Sequence, residues 1–285
     1  MVHRRELTAH GIDKADVRSE IRAGRWLALG RHTVLIGNGA PSPEARRWWA
    51  VWDSGPGAAL DGASALLAAG LTGITSERIE VSLPHANRRH LILGVRARRR
   101  RVRARLVRSG VPRVPPDVAA VHAAMWARSD REAALVLCLV VQQRLAPPQR
   151  LLERWIEVGR GPRRVLVRRI LEDIADGAHS LGELDFARLC TSRGLPEPSR
   201  QVVRRGAKGR VYLDVAWEDI GLVVEVDGIQ HTQGLGPVDD ALRQNQVSLE
   251  FSTVLRIPLL GLRLRADQFM AQVVQAHALL ATRAS

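Results

Sequence analysis

The sequence predicts an α/β protein in which a C-terminal mixed sheet flanked by helices follows a small helix-helix-ribbon unit and a mostly helical middle. Three observations carry this. Residues 210–217 and 221–227 are strand-length, apolar-rich runs bounded by turn residues, and helical patterns surround them. Residues 116–175 keep helical periodicity almost throughout. Residues 1–40 place two short helical patterns before two short β-rich runs, with Gly24 and Gly30 at the joins. At 285 residues and 46% hydrophobic content the chain is long enough for two compact units.

In chain order, a helix is expected over 4–10, stopped by Gly11, then a second over 14–23 capped by Asp13. Residues 25–29 and 32–36 form the ribbon, and helix, helix, ribbon is the order of a winged helix-turn-helix; a small helical cap is the alternative. Helices over 42–52 and 62–69 precede strands at 79–83 and 91–95. Trp48, Trp49 and Trp52 recur at helical spacing and read as core rather than as a base-stacking platform. Eight arginines between 96 and 108, among them Arg98, Arg99, Arg100, Arg101 and Arg103, could track a phosphate backbone or form a solvated edge or loop. Pro147-Pro148 and Gly161-Pro162 punctuate the helical middle. A helix over 181–192, strands at 201–204, 210–217 and 221–227, a helix over 238–250, a strand at 253–257 and a helix over 266–281 complete the chain. The expected domains are 1–40, winged-helix-like; 41–175, mixed then helical with the arginine segment; and 180–285, the mixed-sheet domain.

No run approaches the roughly 18 apolar residues that span a bilayer, and nothing at the front resembles a secretory signal, so no membrane partner and a cytoplasmic location are expected. Cys138 and Cys190 lack the spacing of a zinc or disulfide framework and read as buried small hydrophobes. The formal net charge is +14. Residues 1–110 hold twenty basic against nine acidic side chains, whereas 181–285 hold twelve of each. The excess lies in the front, which points to a polyanion there, DNA first, with a genome-composition bias toward arginine as the alternative; Arg22 and Arg25 join the arginine run as expected contacts.

Residues 218–221 are a loop of common hairpin length. If Trp217 pairs with Leu222, Asp214 faces Glu225 and Tyr212 faces Asp227. Opposed residues share a face with β-carbons about 4.5–5.5 Å apart. Two carboxylates so close repel unless a cation lies between them. Asp227, two residues beyond Glu225, shares that face, so three acids are expected to converge on a strand covered from both sides. The plain alternative is a turn at Asp227-Gly228 with Glu225 on an exposed edge.

The segment Leu213-Asp214-Val215, then Val224-Glu225-Val226-Asp227-Gly228 to His231, continuing to Asp240, Arg243 and Val254-Leu255-Arg256, resembles the very-short-patch-repair-like endonuclease domains of the PD-(D/E)xK superfamily. The resemblance covers about residues 180–285. It implies a restriction-endonuclease-like fold and a Mg²⁺-dependent DNA endonuclease, with Mn²⁺ as a substitute ion. Asp214, Glu225, the Val226 carbonyl and Glu183, from Ser180-Leu-Gly-Glu183, are the implied metal ligands. Where the superfamily has a lysine this chain has Asp227, which cannot supply positive charge; His231 or Arg243 would replace it. At the front, Arg22-Ala-Gly-Arg-Trp26 and the ribbon through Val34-Leu35-Ile36 resemble the winged-helix region of AbiEi-type antitoxins. Two other functions stay open: a DNA-binding regulator whose nuclease fold has lost activity, and a nuclease acting on RNA.

Overall fold

The computed structural model describes residues 1–85, 91–99, 105–176, 186–205, 211–227, 238, 241–242, 245 and 254–284. The chain is α/β, with three small sheets among the described residues. It divides into two compact units, Met1–Trp126 with Arg154–Gly159, and Ala127–Glu153 with Arg160–Ser285. The boundary near residue 126 falls inside the segment 41–175 that the sequence treats as one.

The first unit opens with strand β1 (Val2–His3) and helices α1 (Arg4–Ala9) and α2 (Lys14–Arg22). Asp13 caps α2 by accepting from the Ala15 and Asp16 N–H groups, while Asp16 accepts from the Asp13 N–H. Gly24, at φ +68°, takes the left-handed turn that ends it. Strands β2 (Trp26–Ala28) and β3 (Thr33–Ile36) form the expected ribbon, and β1 adds to it in the order β1-β3-β2. Two residues are too few to leave a sequence pattern, so β1 has no counterpart among the expected elements. Leu7, Val17 and Val34 make the core between these helices and the ribbon, with Trp26 packed against it.

Helix α3 (Pro43–Asp53) starts where Ser42 accepts from the Ala45 N–H and Pro43 tolerates the first turn. Strand β4 (Ala59–Leu60), helix α4 (Gly62–Ala68) and strands β5 (Ile79–Leu83) and β6 (Val95–Arg99) follow, the sheet running β4-β5-β6. The strand expected at 91–95 therefore lies further on, inside the arginine run. Its position is set by parallel pairing with β5, Ile79 to Val95 through Leu83 to Arg99, which local apolar pattern does not encode. A charged strand suits a sheet edge, where it discourages pairing with other chains. Helix α5 (Pro116–Trp126) is buried from Asp117 to Met125, as its nearly uninterrupted apolar sequence requires.

In the second unit, α6 (Asp130–Gln142) packs against α8 (Arg164–Asp176); α7 (Pro148–Val158), between them in sequence, is divided at Glu153 between the two units. Helix α9 (Phe186–Thr191) leads to strands β7 (Arg200–Arg205), β8 (Val211–Trp217), β9 (Leu222–Asp227) and β10 (Val254–Pro258). Their order is β10-β9-β8-β7, antiparallel except for the parallel β9-β10 pair. Helix α10 (Leu259–Ala284) packs on β9 and β10 and breaks at Arg265, whose φ is −144°. Both cysteines are buried and unpaired, and burial pushes each thiol up to about 12. Among the described residues no helix is long and apolar enough to cross a membrane.

Candidate functional site

The hairpin β8-β9 forms because two apolar-rich strand segments meet across residues 218–221, with Gly221 at φ +67° completing the turn. Its register is the expected one: Trp217 pairs with Leu222, Asp214 with Glu225 and Tyr212 with Asp227. Leu213, Val215 and Trp217 are buried with Leu222, Val224 and Val226, while Val223, Glu225 and Asp227 are half-buried. Alternation thus separates an apolar face from a face carrying Asp214, Glu225 and Asp227.

This corrects the expectation of a strand covered on both sides. β9 is an inner strand, but its acids lie on a half-exposed face. The three acids share one face, as expected. Asp227 stands two residues along the strand from Glu225, roughly 7 Å. Among the described residues no group of three His, Cys, Asp or Glu side chains is gathered closely enough to hold a metal. Glu183, His231 and Arg243 lie outside the described residues.

One further strand completes the row. Arg256 of β10 pairs in register with Glu225, so Asp214, Glu225 and Arg256 follow one another across three strands, and Val202 of β7 lies opposite Asp214. The Arg256 Nε donates to Glu225 Oε2 at 3.1 Å. The two side chains are 58% and 34% exposed. Arg256 is therefore a counter-charge of Glu225, a part that the sequence argument gives to a metal. Nothing local could have assigned it, because the parallel partner of β9 lies some thirty residues away.

Asn245 fixes this arginine from behind. Its Oδ1 accepts from the Arg256 N–H at 2.9 Å, and its Nδ2 donates to the Arg256 carbonyl at 2.8 Å and to Gln272 Oε1 at 3.2 Å. Asn245 is 2% exposed, so these bonds occupy a nearly water-free place on the outer edge of β10. Gln272 in turn donates to the Leu242 carbonyl.

The donor set fits a hard divalent cation in part. Asp214 and Glu225 offer carboxylate oxygens from adjacent strands, and the Val226 carbonyl follows Glu225 directly, all oxygen ligands of the kind Mg²⁺ takes. Of the Glu225 oxygens, Oε2 is shared with Arg256.

In the first unit the expected DNA contacts are of different kinds. Arg22 is exposed near the end of α2. Arg25 bonds Glu20 through both Nε and Nη2 at 2.6 Å, and this pairing holds the Glu20 carboxyl below its ordinary range. Arg99 is exposed on β6, whereas Arg100, Arg101 and Arg103 lie outside the described residues. Arg98 is turned inward. Its Nη1 donates to Glu80 Oε1 at 3.0 Å, and its guanidinium lies 3.9 Å from the ring centre of Trp126. Burial raises the Glu80 carboxyl above its usual range, against the opposing pull of the Ala63 N–H and Arg98. Burial likewise lowers the Arg98 pKa. Arg98 is thus part of a half-buried pair beside a buried Asp61–His122 contact of 2.9 Å, rather than a free cation of the surface run. Compared with known proteins, the chain matches no family model and no curated protein.

Proposed function

We propose that the second unit is a Mg²⁺-dependent endonuclease that hydrolyses phosphodiester bonds in DNA, similar to the very-short-patch-repair-like domains, with Mn²⁺ able to replace Mg²⁺. The carrying observation is the row Asp214, Glu225, Arg256 on the half-exposed face of the mixed sheet: two acids to hold a cation and a guanidinium beside them. Asp214, Glu225 and the Val226 carbonyl would hold the ion, with Glu183 as a further ligand. Once bound, the ion supplies an acidified water and neutralises charge on the phosphate. Arg256 can bond Glu225 through Nε and still present its Nη donors to a phosphate oxygen. It thereby takes over the positive charge that Asp227 cannot provide, a role the resemblance passes to His231 or Arg243. The arginine-rich front would contribute affinity for the DNA backbone in the cytoplasm.

The test is cleavage of labelled duplex, single-stranded and mismatched DNA and of RNA, with and without Mg²⁺, alongside calorimetric titration of the protein with MgCl₂ and MnCl₂. Asp214→Ala and Glu225→Ala should each abolish cleavage and the calorimetric signal. Undiminished cleavage by both variants rejects the assignment.

A second reading is a DNA-binding regulator with a degenerate nuclease fold, akin to the antitoxin resemblance at the front. The observation favouring it is the same ion pair, since Glu225 already has a cation from its own chain. It predicts DNA binding without cleavage and no heat on titration with MnCl₂.

A further inference from the structure

The first unit holds a cleft of about 370 Å³ that the carboxylate row does not use. Its lining includes four rings in a continuous series. His3 and His32 stack with parallel planes, centres 5.8 Å apart; His3 meets Trp52 edge-on at 5.7 Å; Trp52 lies 4.6 Å from Trp48. Trp48 and Trp52 are therefore not the closed core that their helical spacing suggests. Arg5 and Arg108, both exposed, line the same cleft, and among the described residues no acid does.

The two acids that act on His3 are already engaged. Glu6 accepts from the His3 N–H, and Asp53 accepts from the Arg31 and His32 N–H groups and the Thr33 hydroxyl. The His3 Nδ1 accepts from the Arg5 N–H at 3.1 Å, which requires an unprotonated nitrogen there. Burial first, and then His32 and Arg5, lower the pKa of this ring. The cleft thus offers the π-faces of Trp48, Trp52 and His3 beside two guanidinium groups.

We propose that this cleft binds one unpaired nucleotide of a single-stranded nucleic acid, the base against the Trp48, Trp52 and His3 rings and a phosphate on Arg5 and Arg108. Every base has a π-face for such rings, whatever the sequence, and guanidinium bonds phosphate in a forked geometry. A site of this volume is at the lower end of the roughly 300–1,000 Å³ typical of small-ligand pockets. It is of a size for one nucleotide. Bases stacked inside a duplex cannot enter such a concavity, whereas an unpaired base can. The positive excess of residues 1–110 favours a polyanion over an acidic peptide. None of this rests on Asp214 or Glu225, so the cleft binds whether or not the second unit hydrolyses anything.

The test uses the full chain in EDTA, where metal-dependent hydrolysis does not contribute. Fluorescence anisotropy would follow labelled short oligothymidylate, oligouridylate, an abasic oligomer of equal length and a blunt duplex. At least one of the two base-bearing single strands should bind about tenfold or more tighter than the abasic strand and the duplex. Trp52→Leu should abolish that preference. Arg5→Gln with Arg108→Gln should weaken every single strand and flatten the log-log salt dependence by about 0.7 for each phosphate no longer neutralised. Both arginines are exposed, so this pair of substitutions tests the cleft even if Trp52→Leu does not fold. Equal affinity for abasic and base-bearing strands would overturn the proposal. So would an unchanged salt dependence in the double arginine variant, or an acidic peptide competing as well as the oligonucleotide.

Discussion

At the scale of single residues, Glu225 stands between an acid and a base. Asp214 of β8 lies opposite it on one side, and Arg256 of β10 donates to its carboxylate on the other. Both Glu225 and Arg256 are partly exposed, so their ion pair contributes about 0–1 kcal/mol after solvent screening. If Arg256 serves a phosphate in catalysis, Arg256→Gln should lower cleavage by about 100-fold, the order expected for removal of one preorganised donor. The same change should tighten Mg²⁺ binding, because a competing cation leaves Glu225. Single-turnover cleavage and calorimetry on one variant check both. Weaker Mg²⁺ binding by Arg256→Gln would show that the arginine supports the acids rather than competes for them.

The Arg98–Glu80 pair allows a sharper electrostatic statement, because both groups are largely removed from water. The folded-state pKa of Glu80 is raised above its ordinary value, chiefly by burial. A carboxyl of that kind contributes stability below its unfolded pKa and loses it as pH rises through the folded one. Arg98→Met removes the partner that offsets the penalty and pushes the folded pKa higher still. The variant should lose about 2–3 kcal/mol at pH 7, below the full cost of breaking a fully buried pair, and clearly less at pH 4, which lies below the raised Glu80 pKa. Urea unfolding at the two pH values measures this, and an equal loss at both would mean that packing on Trp126, not charge, is the main contribution of Arg98.

At the scale of elements, two sets of hydrogen bonds hold strands in place. Asn245 satisfies both main-chain groups of Arg256 on the outer edge of the sheet. Asn245→Leu should cost about 2–3 kcal/mol, since each buried polar group left without a partner costs about 1–3 kcal/mol. Under the endonuclease reading it should also slow cleavage as β10 loosens. Cleavage unaffected by a confirmed loss of stability would separate β10 from the chemistry. In the first unit, Asp53 accepts three bonds from residues 31–33 and thereby ties α3 to β3. Gly30 leaves room for it, because a β-carbon there would fall 1.9 Å from Asp53 Oδ2 and 2.5 Å from Trp49 Nε1. Gly30→Ala must displace that carboxylate and should cost about 2 kcal/mol. A melting temperature equal to that of the unsubstituted chain would show that the loop moves aside without losing its bonds.

At the scale of the whole molecule, charge is divided unevenly along the chain, but only some of the basic groups are available to a polyanion. Arg96 and Arg99 are exposed on β6, while Arg98 is committed to Glu80 and Trp126. If the β6 edge meets duplex DNA, neutralising Arg96 and Arg99 should reduce the log-log salt slope by about 0.9 for each phosphate they bind. Arg98→Gln should leave the slope nearly unchanged. A salt titration of duplex affinity for the two variants makes the comparison, and an Arg98 effect as large as that of its neighbours would place its guanidinium on the backbone.

The sequence by itself determined the elements whose information is local. Asp13 and Gly24 mark helix ends through a cap and a left-handed turn, and the 218–221 loop places Asp214 opposite Glu225 by counting. A hairpin register is legible because a short loop leaves its strands little choice of pairing. Only the tertiary structure decided which cation stands beside Glu225, that Arg98 turns toward Glu80, and that Trp48 and Trp52 open into a cleft with His3 and His32. Each of these joins residues far apart in the chain, through parallel pairing of β9 with β10 or of β5 with β6, or through packing of α3 beside β1 and β3. Parallel strands need a long crossover, so their register depends on how distant layers pack rather than on any local spacing.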